Sequence, residues 1–258
     1  MAYRFTKERQ DYSDFASGRV FYSFPGRTAF PVRLASEIFQ RCLEIRTRQS
    51  GSGACVLYDP CCGSAALLST LAYLHWFALD QVIGSDIDAE ALLLARRNLS
   101  LLTLEGMDER IAGIEEMLSL YEKASHRNAL ASATLLRYRL DELTSTHNVT
   151  TRLFSADALQ GTDMLKQLGD LKVDIVVTDI PYGKSSSWQF SGASRVSFSN
   201  PAWHLLQSLL PVLSPCSIVA IAAQKQQKIA HEEYKRVEHF QVGKRKVVFL
   251  VPTRMSQG

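Results

Sequence analysis

This sequence of 258 residues lacks the features that mark several common functional classes. Its five cysteines form no Cys-x-x-Cys pair and no even set, which argues against a zinc site and a disulfide framework. No apolar run reaches the roughly 18 residues that indicate a membrane span, and the first thirty residues are too charged for a signal peptide. We therefore predict a cytoplasmic, monomeric protein with reduced thiols, without a bound metal and without membrane association.

Two nucleotide-binding signatures are also missing. The loop after the first predicted strand, residues 54–58, contains no Gly-x-Gly-x-x-Gly, which argues against a nicotinamide-dependent dehydrogenase. Gly183-Lys184-Ser185 is similar to the end of a phosphate loop, but Thr178 occupies the position of the required first glycine. The remaining composition, 46% hydrophobic and 21% charged, is that of an ordinary globular enzyme.

The segment after the first strand is predicted to be a tight cofactor-binding loop that leads into a helix. Gly63 allows the backbone to come close to a ligand, and Ser64 is predicted to cap the helix, whose free N–H groups favour a polar ligand. Cys61 and Cys62 are predicted to line the loop as small side chains, with a redox or metal role as the alternative. The predicted cofactor residues of this loop are Asp59, Pro60, Cys61, Gly63 and Ser64.

Acidic side chains also follow the next two predicted strands. The strand at residues 81–85 ends at Asp86 and Ile87, and the strand at residues 151–154 ends shortly before Asp157 and Ala158. Ligands of open α/β sheets bind at the carboxyl ends of the strands, where an acid after the second strand accepts hydrogen bonds from ribose hydroxyls. We therefore predict that these four residues complete the cofactor site.

The most informative segment is Asp179-Ile180-Pro181-Tyr182, which follows the apolar run at residues 173–178. Here a carboxylate, a backbone carbonyl and an aromatic face can surround one planar group. Methylation of a nucleobase amino group requires such acceptors and a stacking surface, because the nitrogen shares its lone pair with the ring. We predict these four residues to be catalytic, and a purely structural turn is the alternative.

The order of elements predicts a doubly wound, mostly parallel α/β sheet in one domain, residues 1–258. Residues 30–45 are predicted to form a helix before the first strand, and residues 104–147 an inserted helical pair that is longer than a connection requires. Another helix is predicted at residues 201–213. A strand at 217–223, a charged helix at about 227–237 and a final strand at 247–251 complete the prediction.

Positive charge is concentrated at both ends of the chain. Residues 1–50 carry nine Lys and Arg against five Asp and Glu, whereas residues 80–122 carry three against ten and residues 224–258 carry eight against three. Basic ends interleaved with aromatic rings are typical of RNA contacts, although a packed basic lid is the alternative. The loop after Asp179 is expected to close on the target base. The predicted RNA-binding residues are Arg4, Lys7, Arg9, Arg27 and Trp188.

The motifs at residues 59–64, 85–88, 155–157 and 178–183 resemble those of Rossmann-like class I S-adenosylmethionine-dependent methyltransferases. The segment at 24–41 and the doubled cysteine at 61–62 resemble more narrowly the AviRa family, the avilamycin-resistance type, and the likeness spans about residues 3–251. The resemblance implies S-adenosylmethionine as cofactor, methylation of guanine N2 in 23S ribosomal RNA, and orthosomycin resistance. It places the methionine end near residues 59–64, the ribose at Asp86 and the adenine near Asp157.

Two positions depart from the usual methyltransferase motifs. Ala65 stands where a second loop glycine is common, and Ile180 replaces the first proline of the Pro-Pro-aromatic motif. The choice of guanine therefore depends on the family resemblance, and an adenine-N6 methyltransferase acting on RNA or DNA stays open as the alternative.

Overall fold

The computed structural model describes residues 3–16, 18–24, 29–180 and 200–253. Seven strands form one sheet: β1 (Cys55–Asp59), β2 (Leu79–Asp86), β3 (Thr150–Ser155), β4 (Val173–Asp179), β5 (Leu213–Gln224), β6 (Tyr234–Val242) and β7 (Arg245–Pro252). Their order is β3-β2-β1-β4-β5-β7-β6. The first five strands are parallel, and β7 is antiparallel to both β5 and β6.

Helices cover both faces of the sheet. They are α1 (Val32–Arg48), α2 (Ala66–His75), α3 (Ala89–Ser100), α4 (Leu104–Tyr121), α5 (Ala124–Thr144), α6 (Gly161–Leu168) and α7 (Pro201–Leu209). Buried side chains of α1, α2 and α3 belong to one core cluster, to which α4 and α5 also contribute, and those of α6 and α7 belong to a second. The predicted doubly wound fold and inserted helical pair are therefore confirmed.

The local sequence explains the elements that frame the sheet edge. In β4, the consecutive residues Ile175, Val176 and Val177 are all buried, as expected for a central parallel strand that is covered on both faces. Helix α3 begins where the Asp88 carboxylate accepts hydrogen bonds from the backbone N–H groups of Glu90 and Ala91. Together, these features fix the point at which each strand ends and the next helix starts.

Three expectations about local structure are wrong or incomplete. The charged helix at about 227–237 is absent; instead, β6 runs over Tyr234–Val242 and pairs with β7. This edge strand is mostly exposed, so it lacks the apolar alternation that would have indicated a strand. Helix α6 was also not predicted from the sequence. The predicted cap at Ser64 is wrong, because the residue before α2 is Ala65, at φ 56°, and no side chain caps the helix.

Candidate active site

Four carboxylates lie at the carboxyl edge of the parallel strands. Asp59, Asp86 and Asp179 are the last residues of β1, β2 and β4, and Asp157 lies two residues beyond β3. This edge includes the topological switch point, which lies between β1 and β4. From β1 the sheet continues to β2 and β3 on one side, and from β4 it continues to β5 on the other. Open α/β sheets bind their ligands at such a point. The structure therefore brings the predicted acids to one edge.

The loop between β1 and α2 has a backbone that is open to this edge. Its turn is closed by a hydrogen bond of 2.7 Å from the Ala65 N–H to the Cys62 carbonyl. Gly63 has φ 53°, and a Cβ built on it would meet no atom within 4 Å. Gly63 thus provides a left-handed residue beside open space, as a loop that receives a ligand requires.

The Asp86 carboxylate fixes this loop to the second strand. Its Oδ2 accepts the Gly63 N–H at 2.8 Å, and its Oδ1 accepts the Asp88 N–H at 3.0 Å. The side chain is half-buried, and burial raises the pKa of the carboxyl above its ordinary value. Each oxygen keeps a second lone pair, so the carboxylate can also accept hydroxyl groups. Ile87, the neighbouring predicted cofactor residue, is half-buried at the same edge.

Asp59 is the most deeply buried of the four acids, at 2% exposure. Its Oδ1 accepts the Cys61 N–H at 3.0 Å, and burial raises the pKa of the carboxyl to about 7. A group with such a pKa responds strongly to a nearby positive charge, which stabilises the ionised form. Asp59 and the adjoining buried Pro60 therefore form the floor of the loop, where a cationic group of a ligand would be favoured.

The two adjacent cysteines belong to the loop as thiols. Burial raises the pKa of both Cys61 and Cys62 well above the usual thiol value. A reactive cysteine requires the opposite shift, so the geometry favours the predicted lining role over a redox role. Cys62 also packs against the second strand, because its Sγ lies 3.0 Å from where a Cβ on Gly84 would be. Among the described residues, no group of three or more His, Cys, Asp or Glu could hold a metal ion.

The third acid stabilises the turn after β3. Asp157 Oδ1 accepts the Leu159 N–H at 2.9 Å, and Oδ2 accepts the Gln160 side-chain N–H at 3.1 Å. Asp157 and Ala158 are both buried. The residues that were predicted to lie near an adenine ring therefore border the site, and that contact stays a prediction.

On the other side of the switch point, β4 presents Asp179. The Ile180 N–H donates to the Ala222 carbonyl at 3.1 Å and extends the pairing with β5, while its side chain is 1% exposed in the second core. This anchoring fixes the backbone immediately after the carboxylate. Pro181, Tyr182 and Trp188 lie outside the described residues, as does Arg27.

A cation beside Asp179 was not predicted from the sequence. Arg245, the first residue of β7, places its terminal guanidinium nitrogen 3.9 Å from Asp179 Oδ2. In the sequence, Arg245 lies between Lys244 and Lys246 and resembles a solvated turn. No local pattern identifies its partner, because antiparallel strand pairing creates the contact.

The predicted RNA-binding residues of the N-terminal segment differ in their surroundings. Arg4 forms ion pairs with Glu44 and Glu238, and its backbone N–H donates to Glu37. Lys7 and Arg9, by contrast, are exposed. The RNA-binding role of all three stays a prediction.

Two aromatic rings of the same segment are packed inside the protein. Phe15 and Phe21 are 8% and 1% exposed and form a cluster with Tyr73, with ring centroids about 6 Å apart. For these two rings, the packed-lid alternative is correct and stacking on bases is wrong.

A buried amide that was not predicted from the sequence joins this segment to the loop between β1 and α2. Asn98 in α3 is fully buried; its Oδ1 accepts the Tyr22 N–H at 2.8 Å, and its Nδ2 donates to the carbonyls of Tyr22 and Ser64 at 2.9 and 2.8 Å. One asparagine thus satisfies three backbone groups from two separate segments. A lone Asn in an amphipathic helix gives no sequence signal for this role.

Comparisons with known proteins agree with the geometry. The model of the family described as rRNA methyltransferase AviRa matches residues 1–245. A 23S rRNA (guanine(2535)-N(1))-methyltransferase from Streptomyces viridochromogenes is 37% identical over 249 residues, which cover 96% of this chain and 95% of that protein. A solved structure of the rRNA methyltransferase AviRa from the same organism matches with a TM-score of 0.84 at 37% identity, covering 99% of this chain and 98% of that chain.

A more distant structure shares the fold alone. TrmN from Thermus thermophilus matches with a TM-score of 0.50 at 16% identity, over 88% of this chain and 50% of that chain.

None of the helices in the described ranges is long and apolar enough to cross a membrane.

Proposed function

The chain belongs to the AviRa family of rRNA methyltransferases, and from this premise we propose that it methylates a guanine of 23S ribosomal RNA with S-adenosylmethionine as methyl donor. The relative that is 37% identical is named for methylation at guanine N1. The N2 position predicted from the sequence is not confirmed, so we place N1 first and N2 second. Both nitrogens lie on the Watson–Crick edge, which one carboxylate can contact.

The observation that carries this proposal is the division of four carboxylates at one sheet edge. Three of them, Asp59, Asp86 and Asp157, lie on the β1–β3 side, next to the open loop at Gly63. Asp179 lies at the end of β4, on the other side of the switch point. The arrangement offers separate places for a cofactor and for a target base.

The residues on the cofactor side suit S-adenosylmethionine. We assign the ribose hydroxyls to the Asp86 carboxylate and the ammonium of the methionine end to the Asp59 carboxylate. The open backbone at Gly63 would let this end approach closely, and Asp157 and Ala158 would border the adenine. When bound, the cofactor supplies a methyl group that its sulfonium has already activated. No further electrophilic activation is required from the protein.

Asp179 acts on the target base. As a methyl group bonds to guanine N1, the N1 proton must leave, and we assign Asp179 as the carboxylate that accepts it and later releases it to water. For methylation at N2, the same carboxylate would accept an amino hydrogen together with the Ile180 carbonyl. We assign Tyr182 as the stacking surface and Pro181 as the residue that stiffens the turn.

RNA binding is assigned to the basic N-terminal segment and to the loop after Asp179. Lys7 and Arg9 are exposed and can reach phosphates, whereas Arg4 would have to give up ion pairs to do so. Arg27 and Trp188 complete the proposed contacts. We further propose that the enzyme is a cytoplasmic monomer and that its modification confers resistance to an orthosomycin antibiotic.

Methyl transfer to separate nucleic acids tests the proposal. The protein is incubated with isotopically labelled S-adenosylmethionine and with 23S rRNA, 16S rRNA, transfer RNA or DNA, and the digested nucleosides are identified by mass spectrometry. We expect labelled 1-methylguanosine from 23S rRNA alone. Labelled N2-methylguanosine would move the acceptor to N2, labelled N6-methyladenosine would support the adenine alternative, and an absence of label in all pools would refute the proposed activity.

A further inference from the structure

The sheet itself places Arg245 beside Asp179. Asp179 pairs with Ala222 of β5, and Ala222 pairs with Val247 of β7. Arg245 precedes Val247 by two residues on the same strand, so its side chain points to the same face as that of Val247. The register of three strands therefore fixes this pair, although its members are 66 positions apart in the sequence.

The guanidinium of Arg245 lies between the carboxylate and an aromatic ring. Its terminal nitrogen is 3.9 Å from Asp179 Oδ2, and its central carbon is 5.4 Å from the centroid of Phe30, just before α1. The side chains of Arg245 and Asp179 are each 27% exposed. The contact thus lies at the carboxyl edge of the sheet, beside the carboxylate proposed to meet the target base, and is neither deeply buried nor fully solvated.

The pair contributes little to the stability of the fold. Ion pairs that remain partly exposed contribute little, because water and salt screen them, and 3.9 Å is too long for a hydrogen bond. Contacts among catalytic groups are often long before substrate binds and shorten in the complex. An arginine that engages one carboxylate oxygen also restricts rotation of the carboxylate and so fixes the orientation of the group.

We propose that Arg245 is a positioning residue that orients the Asp179 carboxylate towards the Watson–Crick edge of the target guanine. The inference rests on the proposed function, in which Asp179 accepts the proton. Arg245 acts through Asp179 and holds neither the cofactor nor the RNA phosphates. Its loss therefore affects the chemical step and leaves the binding steps intact.

The adjacent Lys246 provides a matched control. Its side chain carries the same charge on the same strand but points to the opposite face of the sheet. Arg245→Met should lower kcat about tenfold to a hundredfold, the effect of misplacing a catalytic group, while the Kd for S-adenosylmethionine and the KM for rRNA change by less than about twofold. Lys246→Met should leave kcat unchanged. Arg245→Lys should restore part of the kcat, because it keeps the charge without the planar fork.

Combining Arg245→Met with Asp179→Asn separates positioning from other roles. If Arg245 acts through Asp179, the double variant has the same kcat as Asp179→Asn alone. Independent, multiplicative losses in the double variant, or a raised KM for rRNA with an unchanged kcat in Arg245→Met, would overturn the proposal in favour of a separate catalytic role or a phosphate contact. A wild-type protein that methylates no rRNA would instead refute the proposed function.

Discussion

The proposed cofactor side of the site and the proposed substrate side differ in the contacts that the structure describes for their carboxylates. On the cofactor side, Asp59, Asp86 and Asp157 each accept backbone N–H groups at 2.8–3.0 Å, so the loops and the carboxylates fix one another. On the substrate side, Asp179 faces the Arg245 side chain at 3.9 Å. The proposed cofactor side thus includes short hydrogen bonds from backbone N–H groups, and the proposed substrate side includes a longer contact between two side chains.

The difference matches what each side must do. A cofactor has the same shape in every turnover, and a rigid site lowers the entropic cost of binding it. A base that arrives as part of a large RNA has to be admitted and then surrounded, which favours side chains that can adjust. We therefore expect substitutions on the two sides to separate binding of the cofactor from the chemical step.

The largest expected effect belongs to Asp179→Ala. Losing one acceptor aimed at developing charge costs roughly 2.7–4 kcal/mol, so kcat should fall about a hundredfold to a thousandfold. Affinity for S-adenosylmethionine, measured by calorimetry, should not change, because the cofactor side is intact. Full methylation by Asp179→Ala would show that Asp179 is only the structural end of a strand.

The converse substitution is Asp86→Ala. Hydrogen bonds to charged groups contribute about 1.5–3 kcal/mol, so the Kd for S-adenosylmethionine should rise about 10- to 150-fold. The kcat at saturating cofactor should change far less than in Asp179→Ala. Unchanged affinity in calorimetry would show that the ribose is bound elsewhere.

Asn98→Ala tests whether the cofactor loop depends on the N-terminal segment. It removes the partners of Tyr22 and Ser64 backbone groups, and each buried group left unsatisfied costs about 1–3 kcal/mol of unfolding free energy. Because the Ser64 carbonyl loses its donor, the affinity for S-adenosylmethionine should fall as well. Tyr73→Phe is the control, since it removes a buried hydrogen bond to Leu101 that does not involve the loop. Equal affinities in the two variants would contradict the coupling.

Ionisation of the Asp59 carboxyl should make both the stability of the free protein and its affinity for the cofactor depend on pH. Its pKa of about 7 lies above the ordinary value, so its contribution to the stability of the free protein is present at low pH and lost as the pH rises through 7. Cofactor affinity should change in the opposite direction, rising up to about tenfold from pH 6 to 8, because the ionised carboxylate attracts an ammonium group. In Asp59→Asn, titration calorimetry should show no such rise in affinity, and thermal unfolding should show no such loss of stability.

The smallest expected effect is on the salt dependence of RNA binding. Replacing Lys7 and Arg9 with alanine should reduce the slope of log affinity against log salt by about 0.7 for each lost phosphate contact on a single strand. Cofactor affinity should remain at the wild-type value. A slope that does not change in filter binding across a salt series would show that the N-terminal segment is only a packed lid.

The features that could be predicted from the sequence are those set by residues that lie close together along the chain. Strand ends at Asp59, Asp86 and Asp179 are visible because an apolar run stops at an acid, and parallel strands bring such ends to one edge. The inserted helical pair is visible for a similar reason, since about forty residues show helical periodicity without a strand.

The features that were missed depend on contacts between distant segments. Arg245 meets Asp179 through strand pairing, and Asn98 meets Ser64 through helix packing, so neither contact leaves a mark in the neighbouring residues. The first residues of edge strand β6 were predicted to end a charged helix, because the strand is mostly exposed and its charged residues hide the alternation. Sequence patterns report burial and local periodicity, whereas these contacts are set by the tertiary register.

A crystal structure with S-adenosylhomocysteine tests the division of the site most directly. We predict that the ribose hydroxyls contact the Asp86 carboxylate and that the amino-acid end lies at Gly63 and Asp59. The sulfur should point across the switch point towards Asp179. A product bound with its ribose away from Asp86, or with its sulfur facing away from Asp179, would contradict it.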